Sequence, residues 1–335
     1  MSERRAGRVL QRIAAYLLAA GGLVWVFHDV NGPALAKYLL RFNAWWVALG
    51  LLLDTLSYAA QGYRWHLLLR PLGRIGPLRT TQAVYAGLFV SEVLPMRVGE
   101  IVRAYLVSLW MAKDIVAVVP SMALERLSEG IWLAAGLGVT AIFVPLPHDF
   151  LVAGDIFGLV VLVLTGIFLT LIFRKKREAP GSGPEKPVRP NLLRRLLSVP
   201  GRLEGGFRSI GISPSSIAAF FMTLLHLALQ AVSFWCVMKA YGLPFSLWVG
   251  AAVSLIVRFG IALPNAPASV GTYQLFCVLG LTAFGLGKTE AAAFSIVVFI
   301  LLSLPLWVLG FFALSQSGLT LLAVRERLKS MRAHG

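Results

Sequence analysis

Apolar residues in this chain gather into long runs, without the alternation of a half-buried strand or the narrow stripe of a surface helix. Five runs, residues 45–63, 116–144, 151–173, 217–241 and 291–314, are long enough as helices to cross ~30 Å of hydrocarbon. A sixth, residues 13–27, follows Arg4, Arg5, Arg8 and Arg12, a layout shared with signal peptides. It is read as an uncleaved first span because the topology below requires one.

Two further apolar stretches are interrupted. Residues 80–94 stop at Pro95, and residues 101–112 follow; as helices they reach only ~22 Å and ~18 Å. They are expected to pair as a re-entrant helical hairpin (80–112) with a tip at Pro95-Met96-Arg97-Val98-Gly99. Such irregular backbone is tolerated at membrane depth where it is buried in protein or lines a watery cavity. The second candidate hairpin, 245–287, is broken around Pro264-Asn265-Ala266-Pro267 and is read either as a hairpin or as two tilted spans. Leu94-Pro95 followed by Val98-Gly99 recurs as Leu263-Pro264 followed by Val270-Gly271. The order span, span, hairpin, span therefore occurs twice, with the second unit inverted. The fold class expected is an all-α polytopic membrane protein of six full spans and two Pro/Gly-broken hairpins in an inverted repeat. Its parts are a first membrane half (1–173), a linker (174–214) and a second half (215–335).

Composition agrees: the 335 residues are 58% hydrophobic and only 14% charged, against roughly 25% charged in soluble domains. These values exclude disordered and collagen-like chains. Cys236 and Cys277 both lie in apolar runs, which argues against a disulfide scaffold or a cysteine metal site. The net charge of +16 would point to nucleic acid in a soluble domain; here it is read as topology, with no nucleic-acid partner. Most Lys and Arg lie in the N-terminal tail, residues 64–79, residues 174–214 and the tail after Val324. Only Lys37, Arg41, Lys239 and Lys288 fall on the opposite side. This bias places both termini in the cytoplasm of an inner (plasma) membrane protein. The first hairpin then enters from the cytoplasm and the second from outside. The basic, Pro/Gly-rich linker has little prospect of a core of its own.

Charge inside apolar sequence marks the candidate chemistry. Five of the 15 carboxylates, Glu92, Glu100, Asp114, Glu125 and Glu129, fall between residues 92 and 129, interleaved with Arg97, Arg103 and Arg126. At the bilayer centre each ionised group costs roughly 2.5–3.5 kcal/mol, so such residues face a cavity or pair with one another. Arg97, Glu100 and Arg103, three apart, share one side of a helix, so two guanidinium groups would flank one carboxylate. Guanidinium suits bidentate phosphate contact, and a half-helix starting near Val98-Gly99 would present free N–H groups at the tip. Glu125 and Glu129 would neutralise these arginines or accept a proton. The second hairpin is polar without being acidic: Arg258, Asn265, Ser269, Thr272, Tyr273 and Gln274 bracket its turn, with Pro264, Pro267 and Gly271 shaping it. Arg97, Arg103 and Arg258 are the candidate phosphate ligands. Glu92, Glu100, Glu125, Arg126 and Glu129 are the polar or proton-linked set. Pro95, Gly99, Pro264, Asn265, Pro267, Ser269, Gly271, Thr272, Tyr273 and Gln274 are the hairpin gates. Asp54, His66, His226 and Gln230 are read as hydrogen bonders between helices. No hydrolase, P-loop, Rossmann or zinc-protease pattern occurs, and no cofactor, metal or catalytic residue is assigned.

The segment Glu92 to Arg103, then Glu125-Arg126, then Leu263 to Gln274 resembles the membrane region of lysylphosphatidylglycerol synthase/flippase and of flippase-like proteins. The resemblance runs from about residue 10 to 318. It implies a lipid-handling membrane domain that translocates a modified phospholipid between leaflets. Two departures stand out: Ala268-Ser269 follows Pro267 where the family usually has Pro-Gly, and no segment of these 335 residues is expected to form the soluble aminoacyl-transfer domain. The function expected is a flippase for an anionic or modified lipid or a polyprenyl phosphate, with membrane lipids as partners. A membrane-embedded transferase using Glu100 or Glu125 as base, an accessory partner of lipid-modifying enzymes, and a small-solute transporter are the alternatives.

Overall fold

A computed structural model of the chain describes residues 17, 19–28, 42–94, 98–173, 205–207, 209–211, 213–262 and 267–318. Among the described residues nine α-helices of 12 to 29 residues stand out: α1 (Ala44–Leu69), α2 (Pro77–Val93), α3 (Val98–Trp110), α4 (Ile115–Phe143), α5 (His148–Phe173), α6 (Pro214–Ala240), α7 (Leu247–Ala262), α8 (Thr272–Ala283) and α9 (Lys288–Gln316). Residues 19–27 are also helical, and a 3₁₀ turn covers Pro267–Ser269. The N-terminal tail, most of the linker, the chain after residue 318 and both proline tips, Pro95-Met96-Arg97 and Leu263 to Ala266, lie outside the described residues.

Local sequence sets the helix starts. Asn43, Asp114 and Ser213 each accept a hydrogen bond from a first-turn N–H, satisfying a donor the helix itself leaves free. Pro77 and Pro214 open α2 and α6, where their missing N–H costs nothing. Helices α5, α6 and α9 are long and apolar enough to cross a membrane. Helices α1 and α4 have the length, 26 and 29 residues, but carry ionisable side chains that the bundle turns inward. Helix α1 runs six residues beyond the expected end at Tyr63, through Arg64 to Leu69. Arg64, assigned from sequence to a cytoplasmic basic segment, is fully buried.

Helix α1 runs antiparallel to α6. The Asn43 N–H donates to the Ala240 carbonyl at 2.9 Å, Ser233 Oγ to the Gly50 carbonyl at 2.8 Å, and His226 Nδ1 meets the Ser57 carbonyl at 2.9 Å. Around this pair the other contacts come in matched sets. Short α2 packs on α3, and short α7 on α8; α2 packs on α9, and α7 on α4. The α2–α3 crossing is close enough that a Cβ on Gly99 would strike the Gly87 carbonyl, and one on Gly260 in α7 would strike the Phe276 ring of α8. Counted in residues, α1 to α4 are 26, 17, 13 and 29 long, and α6 to α9 are 27, 16, 12 and 29.

The apolar core is divided accordingly. One cluster gathers Trp65, Val84, Val90, Leu106 and Val107 around α2 and α3. The other gathers Phe234, Met238, Val253, Val278 and Phe294 around α7 and α8. Helix α5 contributes little to either and is exposed along most of its length.

Candidate functional site

Between the two apolar clusters lies a polar interior. A cavity of about 230 Å³ is lined by Gln61, Glu92, Gly99, Glu100, Arg103, Arg126, Glu129, His226, Gln230 and Arg258, and by Ala268 and Ser269 of the second hairpin's turn. A second cavity of about 150 Å³ continues from it, sharing Tyr58, Glu92, Gln230, Arg258 and Ser269, and adds Asp54, Ser254, Tyr273 and Phe299. Described residues at the ends of both hairpins, Leu94 and Gly99 from one and Ala268 and Ser269 from the other, line the larger cavity.

At one end stands a network of three arginines and three glutamates. Arg64 is held by Glu125 and, at 2.8 Å, by Glu129; Arg103 Nη1 donates to the same Glu125 oxygen at 3.0 Å. Arg126 pairs with Glu100 and, at 2.6 Å, with Glu129. Gln61 Nε2 also donates to Glu125, at 3.3 Å, and the Arg103 guanidinium lies 4.9 Å from the centre of the Trp65 ring. The formal charges cancel. Glu125 and the side chain of Arg64 are fully buried, whereas Arg126 is 41% and Glu100 31% exposed. The carboxylate flanked by two guanidinium groups is therefore Glu125, between Arg64 and Arg103. Both α3 side chains reach α4: Arg103 goes to the buried Glu125, and Glu100 pairs instead with the more exposed Arg126. Arg97 precedes the first described residue of α3 and lies outside the described residues.

Beyond the network the cavity wall changes character. Glu92 accepts a hydrogen bond from Trp307 Nε1 at 3.2 Å. Arg258 lines both cavities and has no carboxylate within salt-bridge distance among the described residues. Asp54 is 2% exposed, and its Oδ2, like Gln230 Oε1, has no hydrogen-bond partner among the described residues. No group of three His, Cys, Asp or Glu side chains among them would hold a metal ion, and Cys236 and Cys277 are buried and free.

The second hairpin's turn is made by residues of positive φ. Ala268 has φ 54°, Ser269 56° and Gly271 84°. Only glycine adopts this region without cost; Ala268 and Ser269 adopt the left-handed backbone nonetheless. Gly271 has a second reason to lack a side chain, since a Cβ would run into the backbone of Ala19. Gln274 Oε1 accepts from the Gly271 N–H at 2.7 Å, capping α8. Tyr273 lines the smaller cavity and meets Phe299 edge-on, and Thr272 is buried. Pro95, Pro264 and Asn265 lie outside the described residues.

Sequence reading passed over Arg64, Tyr58 and Gln61 and treated Asp54, His226 and Gln230 as ordinary hydrogen bonders. The signal for Arg64 was present: apolar sequence resumes beyond it at Trp65 and Leu67-Leu68-Leu69, so the helix had no reason to stop. Asp54, Tyr58, Gln61 and Arg64 follow one another at helical spacing along one face of α1.

No curated protein matches the chain in sequence. Residues 12–314 match the family profile of the lysylphosphatidylglycerol synthase TM region. Because that match takes in nearly the whole chain, this multi-pass, all-helical membrane protein belongs to the lysylphosphatidylglycerol synthase transmembrane-region family.

Proposed function

We propose that the chain is a lipid translocase of the inner membrane, moving an amphiphile with an anionic or modified headgroup, a phospholipid or a polyprenyl phosphate, between leaflets. The observation that carries this reading is the meeting of both hairpins at one polar cavity within an otherwise apolar bundle. The matched helix lengths, the antiparallel α1–α6 pair and the corresponding α2–α9 and α7–α4 contacts support an inverted repeat. In transporters so built, the substrate site lies at the repeat interface, between broken helices. The basic segments support a cytoplasmic location for both termini, which has the first hairpin entering from the cytoplasm and the second from outside. Arg258 binds the phosphate, the Glu100–Arg126 pair closes the cytoplasmic side, and the turn at Ala268-Ser269 gates the other.

The test is leaflet exchange of fluorescent phosphatidylglycerol in proteoliposomes. Removing one charged contact to the headgroup, as in Arg258→Gln, is expected to slow exchange about 10-fold or more, with Arg97→Ala and Glu100→Gln also impaired. Wild-type rates in all three variants would sink the reading. Turnover of a headgroup donor by the purified protein, with no exchange, would support a transferase instead.

A further inference from the structure

The arginine–glutamate network balances three cations against three anions and leaves three ionisable groups on the cavity wall outside it, without ion-pair partners among the described residues: Asp54 on α1, Glu92 on α2 and Arg258 on α7. They line the same cavity without a direct ion pair. Asp54 Oδ2 is buried and makes no hydrogen bond of ordinary geometry among the described residues; the Gln230 side chain lies beside it as the neighbouring polar group, its own Oε1 likewise unpartnered. The other titratable groups facing Asp54 are Tyr58 on its own helix, Tyr85 and Glu92 on α2, and Tyr273 on α8. Helix α6 presents the uncharged Gln230, and α9 presents Phe299, Leu302 and Ser303. The phenol of Tyr85 is engaged with the Thr55 carbonyl at 3.2 Å, and Glu92 with Trp307. Arg258 is thus the cation whose field compensates an ionised Asp54.

We infer that Asp54 is a proton-binding site coupled to Arg258, so that an anionic headgroup and a proton enter the cavity together. The inference rests on the assignment of Arg258 to the headgroup made above. An ionised carboxylate in a low-dielectric interior is held by a nearby positive charge and destabilised by a nearby negative one. When a phosphate takes the Arg258 guanidinium, Asp54 loses its compensation and gains an anionic neighbour. It then takes a proton from water on the entry side onto Oδ2. When the lipid leaves on the far side, Arg258 again faces Asp54 and the proton is released there. By linkage, proton binding must strengthen headgroup binding to the same degree.

The test uses the full chain in detergent and short-chain phosphatidylglycerol as the probe, in weakly buffered solution with a pH-indicating dye. Wild type should take up about one proton per lipid bound. Lipid affinity should fall as pH rises in wild type and in Asp54→Glu. In Asp54→Asn it should be flat, with no proton uptake. Replacing sodium by choline should change nothing. Binding without proton uptake in wild type, uptake that persists in Asp54→Asn, or a requirement for sodium would each overturn the inference while leaving a translocase intact. Lipid exchange in vesicles is measured in parallel; its absence, together with absence of binding, overturns the translocase reading and this coupling with it.

Discussion

The α2–α3 hairpin and the α7–α8 hairpin match in helix length, 17 and 13 residues against 16 and 12, yet they are held in place differently. Helix α3 brings Glu100 and Arg103 to a network that ties it to α1 and α4. Helix α8 carries no charge at all, and its partner α7 only Arg258. The second hairpin is instead fixed by local geometry: a left-handed turn, the Gln274 cap and the contact of Gly271 with Ala19. A buried ion network fixes position firmly, because losing any member strands its partners, although its net stabilisation is small. A turn built on strained residues costs energy at every moment it is kept. We therefore expect the first hairpin to be the anchored one and the second, held without ion pairs among the described residues, to be the cheaper one to move.

The largest break in this comparison is Glu125→Ala. It leaves the buried guanidinium groups of Arg64 and Arg103 without their shared carboxylate, and the expected loss is about 3–5 kcal/mol, read as a lowered melting temperature in detergent. Next is Gly99→Ala, whose methyl group would meet the Gly87 carbonyl. Forcing α2 and α3 apart should cost about 1–3 kcal/mol and weaken cross-linking between cysteines placed on the two helices. On the other hairpin, Gln274→Ala removes a cap and should cost about 1 kcal/mol. If Glu125→Ala melts no lower than Gln274→Ala, the network is not what anchors the first hairpin. Within the network burial decides: Glu100→Ala, at the pair whose side chains are 31% and 41% exposed, should cost only about 0.5–1 kcal/mol.

Much of the fold was legible from residues. The apolar runs became α1, α4, α5, α6 and α9 with ends moved by a few residues, and the two proline-interrupted stretches became pairs of short helices. The second pair, which from its sequence fitted two tilted spans equally well, has the dimensions of the first. Helix α1 was misjudged at its C-terminal end because an arginine after an apolar run looks like a membrane boundary. What cancels its charge, Glu125 and Glu129, lies more than sixty residues away. Asp54 and Gln230 read as ordinary hydrogen bonders for the same reason: each is an isolated polar residue in apolar sequence, and only the antiparallel packing of α1 on α6 brings them to one cavity. The pairing within the Arg97–Glu100–Arg103 series could not be read from spacing alone. Spacing puts side chains on one side of a helix but does not say which neighbouring helix supplies a better partner.

The smallest effect expected is also the one that bears most directly on how the second hairpin is held. Ala268 keeps φ 54° and ψ 11° in the turn between α7 and α8, a conformation that costs a non-glycine residue roughly 1–2 kcal/mol. Ala268→Gly removes that strain but gives the unfolded chain more freedom, which offsets ~0.4–1 kcal/mol. The net gain should be about 0.5–1 kcal/mol, a slightly raised melting temperature. The consequence for lipid exchange depends on what the strain does. If the strained turn keeps the second hairpin ready to shift, relaxing it deepens one state, and Ala268→Gly should be more stable but slower in exchange. If the strain is merely tolerated, the variant gains stability and exchanges at the wild-type rate. In that case the contrast between an anchored and a movable hairpin fails, even with every contact of the charged network intact.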